Sequence, residues 1–381
     1  MWVREESVQR IPAWLVLRSG ARFRGAVVIP AGVEPLLDDV EAEVVFNTAM
    51  SGYVEAITDP SYYGQMVCFT TAHLGTYGVR RADVQSVRPW VSAVLAPRYS
   101  VVASNHAADT TLAAWLWEAR VPLFVDFDSR RLVRLVRAAG AEPGIITTGD
   151  PDAAAERVRV AVGTEGRDLV RAVTRREPRE LEPLGHARSS RPIVAIDFGV
   201  KERMLETLRG PWRLVVVPAT IRLEELEKLD PLAVFLSNGP GDPAALTGPI
   251  ELVRSLLGVV PIAGICLGHQ LLALAAGAET IKLPFGHHGS NHPVRLEETG
   301  RVAITAQNHS YAVDEASLGR LDTPAEVTRR NLFDGVVEGL RLPALGAVSV
   351  QYHPEAAPGP LEQSSEIHDE LLSLLGGGSH A

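Results

Sequence analysis

The sequence predicts an α/β protein of two domains, a β-rich mixed α/β domain followed by a domain built on a parallel sheet. Three observations carry this. The chain has 381 residues, long for a single core. A polar stretch from Arg171 to Arg191, with two prolines and no periodic apolar face, interrupts it near the middle. Before that stretch short β-type runs dominate; after it strand and helix patterns alternate, which places strands in parallel with helices over the sheet. The domain limits read as 1–175, a linker at 176–190, and 191–381.

In the first domain the run Trp14 to Val28 is β-type, broken at Gly20 and Gly25, and a strand follows at Ala42 to Phe46. Thr58 to Gly64 is a turn cluster, and Gln65 to Thr70 is a strand carrying Cys68. Helical periodicity marks Ala108 to Ala119 and Ser129 to Ala139, with a short strand at Pro122 to Val125. In the second domain strands are expected at Ile193 to Asp197, Leu214 to Val217, Ala233 to Ser237, Ile262 to Ile265 and Ala347 to Val350. Helices are expected at Lys201 to Leu208 and Leu223 to Leu229.

Hydrophobic residues make up 46% and charged residues 22%, which suffices for two cores without crosslinks. A formal net charge of -9 and scattered arginines leave no basic footprint for nucleic acid. Of the 37 Lys and Arg residues only Lys201, Lys228 and Lys282 are lysine, a skew from which no function is drawn. The longest apolar runs, such as Leu271 to Ala276, fall far short of the roughly 20 residues of a membrane span. Two cysteines, Cys68 and Cys266, and no basic leader before an apolar core argue against a disulfide framework or secretion and for the cytoplasm.

The chemistry centres on Cys266. An apolar run leads into Gly264-Ile-Cys-Leu-Gly268 and then a helix-forming run. Such an elbow exposes the sulfur and aims the positive end of a helix at it, which is how a nucleophile is built. Taken alone, a single cysteine is equally a small buried hydrophobe. A thiol also needs a base. In Gln351-Tyr-His-Pro-Glu-Ala356, extended backbone puts His353 and Glu355 on one side while Pro354 stiffens the segment. Glu355 can then hold His353 while His353 exchanges a proton with Cys266, the alternative being a surface pair with no partner. The loop Ser237-Asn-Gly-Pro-Gly-Asp-Pro243 allows close backbone approach at Gly239 and Gly241. Gly241 and the amide of Leu267 can form an oxyanion hole, in which one donor is typically worth about 3 kcal/mol. That loop also reads as an ordinary turn, and it is no phosphate loop, since no Lys-Ser/Thr pair follows. His287, His288 and His292 lack a cysteine or carboxylate at ligand spacing, so no metal is expected.

Elbow, glycine loop and His-Pro-Glu, in this order, resemble the class I (triad-type) glutamine amidotransferases. Within them, Phe285-Gly-His-His-Gly-Ser-Asn-His-Pro-Val294, Gln307-Asn-His-Ser-Tyr-Ala-Val-Asp314 and Gln351-Tyr-His-Pro-Glu-Ala-Ala-Pro-Gly-Pro360 are similar to the carbamoyl-phosphate synthetase small subunits. Val45 to Tyr62 is similar to the N-terminal signature of that family, and Asp197-Phe-Gly-Val-Lys201 opens the second domain as the family does. The resemblance implies a class I glutaminase domain behind a swivelling β/β/α domain. It makes Cys266 the nucleophile, His353 the acid and base, and Glu355 its orienting partner. It assigns L-glutamine binding to Ser61, Gly239, Gly241, Leu267, Gln270, Asn308, Ser310 and Tyr311. The family usually has glycine at the position of Ser310, which costs strain if that glycine serves a positive φ, and often phenylalanine at Tyr311. The segment Thr71-Ala-His-Leu-Gly-Thr-Tyr-Gly78 also departs from the family pattern.

By the same resemblance, glutamine yields glutamate and ammonia. The ammonia passes through a tunnel to a large subunit that uses bicarbonate, ATP and a divalent metal to make carbamoyl phosphate for pyrimidine and arginine synthesis. This chain has no nucleotide loop and needs no cofactor of its own, so alone it should be at most a weak glutaminase. The heterodimer is the minimal unit, with room for higher assembly. The competing readings are a glutaminase subunit of another synthase, a stand-alone γ-glutamyl cysteine hydrolase, and a module that lost its chemistry.

Overall fold

The computed structural model describes residues 3, 4, 8–33, 38–357 and 370. The chain divides into two compact units, Met1–Glu165 with Pro284–His288, and Gly166–Leu283 with Gly289–Ala381. The division therefore falls at 165/166 rather than 175. The segment read as a linker is partly ordered: Arg179–Leu181 pairs antiparallel with Leu214–Pro218. An edge strand whose side chains face water needs no apolar period, so its polar composition concealed it.

The first unit is a closed seven-stranded barrel. Its strands, in spatial order, are Val8–Leu17, Arg22–Pro30, Leu123–Val125, Ala93–Leu95, Gln65–Phe69, Val40–Asn47 and Glu142–Thr147. Gly20 makes the turn of the first hairpin with φ 86°. Gly25, expected to break a strand, instead lies within one. A Cβ there would stand 2.5 Å from the Val125 carbonyl oxygen, so glycine permits the close approach of the neighbouring strand. The first expected helix is shorter than its periodicity, Leu112–Glu118, because the Thr111 hydroxyl accepts from the Ala114 amide and caps it. The second, Ser129–Ala139, matches its expected span.

The piece Pro284–His288 joins this unit through backbone bonds that no local pattern announces. The Thr48 amide donates to the His288 carbonyl at 3.1 Å and the Ala141 amide to that of Pro284 at 2.7 Å. Phe285 stacks on Phe46 at 6.0 Å. Cys68 is fully buried in the cluster of Leu15, Leu17, Phe46, Met66, Leu95 and Phe124, and burial pushes its thiol up to about 12.

The second unit holds a ten-stranded sheet. Its order is Arg179–Leu181, Leu214–Pro218, Ile193–Asp197, Ala233–Leu236, Ile262–Ile265, Ala347–Val350, Val337–Leu342, Glu326–Asn331, Thr280–Leu296 and Val302–Val313. The five strands from Leu214–Pro218 to Ala347–Val350 are parallel. Alternate residues pack on opposite faces. Val194, Ile196, Val234, Leu236 and Ile262 meet the helices Thr247–Leu256 and Leu267–Ala276, while Ala195, Phe235, Ala263 and Ile265 meet Glu202–Leu208. The antiparallel half was not anticipated. The sheet's longest strand, Thr280–Leu296, whose residues 284–288 are counted with the first unit, carries Pro284, Gly286, Gly289 and Pro293, which obscure the alternation of a strand.

Cys68→Ser would bury a hydroxyl among these apolar side chains. It is expected to lower stability by about 1–3 kcal/mol, measured by urea unfolding.

Candidate active site

Cys266 stands at the junction of the strand Ile262–Ile265 and the helix Leu267–Ala276, at φ 55° and ψ -106°. A β-carbon at positive φ is strained, so surrounding contacts must hold it. The Cys266 amide donates to the Val350 carbonyl of the neighbouring strand at 2.9 Å, and the Gly268 amide donates to that of Ser237 at 3.0 Å. Both glycines of the elbow are required by space. A Cβ on Gly264 would meet the Gly268 carbonyl oxygen at 2.6 Å, and one on Gly268 would meet that of Leu236 at 2.2 Å. The sulfur is almost wholly buried, and its thiol points at the Asn308 carbonyl at 3.5 Å.

His353 and Glu355 follow the adjacent strand Ala347–Val350, as the sequence suggested. The His353 amide donates to the Ala306 carbonyl at 2.8 Å, which fixes the turn against the strand Val302–Val313. Nδ1 of His353 lies 2.8 Å from Oε1 of Glu355. Since a carboxylate accepts, Nδ1–H donates to Glu355, and Nε2 is the nitrogen that can exchange a proton with Cys266. Cys266 follows Ile265, which pairs with Val350 three residues before His353, so the strand pair brings thiol and ring to one edge of the sheet, while Nε2 makes no hydrogen bond among the described residues.

A fourth group completes the chain. Nζ of Lys201 is 2.7 Å from the same Oε1, with both side chains at least nine-tenths buried. Burial opposes ionisation of Glu355, but Lys201 and His353 overcome it and hold the carboxyl well below its usual range. For His353, burial and the Lys201 charge disfavour the imidazolium. Glu355 and the Cys266 sulfur outweigh them and push the ring up to about 10.

The remaining expected residues fall into two groups. Gly239, Gly241, Leu267, Gln270, Asn308, Ser310 and Tyr311 all belong to the second unit, whereas Ser61 belongs to the first. There Ser61 lies in the turn Pro60–Tyr62, its amide donating to Asp59 at 2.9 Å. Gly241 has φ 93°, a conformation that glycine tolerates. Nε2 of Gln270 donates to the Tyr311 carbonyl at 2.7 Å and to Oε1 of Gln351 at 3.0 Å, tying the nucleophile's helix to the strand Val302–Val313 and to the residue just past Ala347–Val350. Ser310 sits in the strand Val302–Val313 without positive φ, so serine costs no backbone strain there.

The sequence reading missed the role of Lys201. The only signal was its place four residues past the end of the strand Ile193–Asp197, at the edge where parallel sheets gather their sites. A compact ammonium can meet a single carboxylate oxygen where a planar guanidinium would need two.

Strand order, elbow and the buried His353–Glu355 pair define a class I glutamine amidotransferase domain, and residues 194–370 match the family Glutamine amidotransferase class-I. Residues 15–146 match Carbamoyl-phosphate synthase small chain, CPSase domain. The carbamoyl phosphate synthase small chain of Chlorobaculum tepidum is 43% identical over 375 residues, covering 97% of this chain and 99% of that one. Those of Thermosynechococcus vestitus and Escherichia coli are 45% and 41% identical, covering 92% and 95% of this chain and 93% and 97% of theirs. This chain belongs to the carbamoyl phosphate synthase small chain family. Similarity that includes the first unit disfavours a subunit of another synthase or a stand-alone hydrolase.

Lys201→Met should destabilise the protein by about 3–5 kcal/mol at pH 7, because Glu355 would stay buried without its cation. Glu355 has a depressed folded pKa, so its contribution is present above its unfolded value and lost as pH falls. The difference between variant and wild type should therefore narrow as pH falls below about 4.5, where the carboxyl takes a proton in the unfolded chain but not yet in the folded one, as read from urea midpoints against pH.

Proposed function

We propose that this chain is the glutamine-hydrolysing subunit of a carbamoyl phosphate synthetase, with Cys266 as nucleophile, His353 as acid and base, and Glu355 as its orienting partner. The carrying observation is the buried series from Lys201 through Glu355 to His353, set on the strand that pairs with the one leading into Cys266. His353 takes the thiol proton at Nε2, and the sulfur attacks the side-chain amide carbon of L-glutamine. Negative charge then develops on the amide oxygen, where the amides of Leu267 and Gly241 would receive it. The tetrahedral intermediate collapses, the C–N bond breaks, and His353 gives its proton to the departing ammonia. Water, deprotonated by His353, cleaves the thioester to release glutamate and restore the thiol. Gly239, Gln270, Asn308, Ser310 and Tyr311, all of the second unit, would bind and orient the glutamine.

The ammonia would pass to a large partner subunit, which holds the ATP and divalent metal and builds carbamoyl phosphate from bicarbonate. The pathways supplied are pyrimidine and arginine synthesis. Among the described residues no helix is long and apolar enough to cross a membrane. Both cysteines are free, which supports a reducing cytoplasm as the location.

In the complex reconstituted with its large subunit, Cys266→Ser should abolish glutamine-dependent carbamoyl phosphate synthesis and leave ammonia-dependent synthesis intact. Loss of both would contradict the assignment. The pH profile of glutamine hydrolysis tests the base. With His353 pushed up to about 10, its acid form is lost, and activity with it, only as pH rises through that range. Glu355→Gln removes the carboxylate that favours the imidazolium. It should lower kcat by about 100-fold or more and move the alkaline limb of kcat/KM to lower pH.

A further inference from the structure

We infer that Asp197 is a positioning residue for glutamine hydrolysis, holding the loop that delivers Lys201 to Glu355, an inference that rests on the proposed roles of Cys266, His353 and Glu355. Asp197 ends the strand Ile193–Asp197 and is buried. Its Oδ1 accepts from the amides of Gly199 at 2.9 Å and Val200 at 2.8 Å, so one oxygen folds the chain back over the next three residues. Gly199 takes φ 131° within that turn. Oδ2 accepts from the Arg175 amide at 3.1 Å and from its Nε at 3.0 Å. The backbone carbonyl of Asp197 accepts from the Thr174 hydroxyl at 2.6 Å, and that hydroxyl accepts from the Ala219 amide at 2.9 Å. One side chain thus sets the exit of the strand and anchors it to the segment opening the second unit.

The loop so held has two working edges. Lys201 leaves it directly after Val200 and reaches Glu355. On the other edge, the Phe198 amide donates to the Ser237 hydroxyl at 2.9 Å, and a Cβ on Gly239 would stand 2.3 Å from the Phe198 carbonyl oxygen. The shape of the glycine loop is therefore set against Phe198. A shift of Asp197 moves both the cation behind the His353–Glu355 pair and the wall of the loop proposed for the oxyanion. Aspartate suits the place because both its oxygens accept, and Arg175 balances its charge. Asparagine would keep an acceptor for Gly199 and Val200 but turn an N–H toward the donors of Arg175.

Displacing groups that act in the chemical step lowers kcat, while Gln270, Asn308, Ser310 and Tyr311, which are proposed to hold glutamine and lie on other elements, keep their places and KM is largely spared. In the reconstituted complex, Asp197→Ala should lower kcat for glutamine hydrolysis roughly 10–100-fold, as loss of a supporting hydrogen-bonded carboxylate does elsewhere, with KM within about threefold. Asp197→Asn should recover part of the loss, and Arg175→Ala should show a smaller fall of the same kind. If Asp197→Ala does not fold, the other two variants decide. A kcat within about threefold of wild type in all variants that fold, or KM rising as steeply as kcat falls, would overturn the inference. Cys266→Ala in the same assay separates the two levels. Retained hydrolysis there overturns the nucleophile assignment, whereas its loss beside fully active Asp197 variants overturns only the positioning role.

Discussion

A carboxylate taken out of water must be given a permanent cation or it takes up a proton, and the site is organised by how Glu355 meets that demand. Lys201 supplies the charge at 2.7 Å. Because Glu355 stays ionised, it can hold Nδ1–H of His353 and leave Nε2 for the sulfur. The ammonium also restrains the imidazole, since its charge disfavours a protonated ring while Glu355 and Cys266 favour it. A base that takes a proton and later surrenders it to ammonia benefits from such opposed influences.

The nucleophile obeys a different constraint, one of space. Helix and sheet approach so closely at the elbow that Gly264 and Gly268 have no room for a β-carbon, and Cys266 between them is forced to positive φ. The strain is held by bonds to two neighbouring strands, through the Val350 and Ser237 carbonyls. The parallel sheet thus serves the chemistry directly: the strands that end beside one another deliver the thiol, the glycine loop and the His353 turn to one edge.

How much of this was legible follows from what is local. The elbow, the His-Pro-Glu turn and the alternation of strands with helices are written in neighbouring residues, and each of these elements forms where its pattern lies. The helix at Ser129–Ala139 keeps its full span because its stripe is uninterrupted. The strand Arg179–Leu181 was hidden because an exposed edge needs no apolar side chains, and Thr280–Leu296 because glycine and proline interrupt its period. Asp197 and Lys201 were noticed only as the opening of a domain, since no neighbouring residue states that the loop Asp197 caps serves to bring Lys201 to a carboxylate far along the chain.

By itself, the sequence determined the reactive groups, the order in which they occur and the class of fold, because nucleophile turns and period-two strands depend on residues a few positions apart. Tertiary structure decided the protonation pattern. Whether Glu355 is ionised, which nitrogen of His353 bears hydrogen, and what stands behind them depend on burial and on a cation brought from Lys201, and desolvation is a property of the folded surroundings rather than of any stretch of chain.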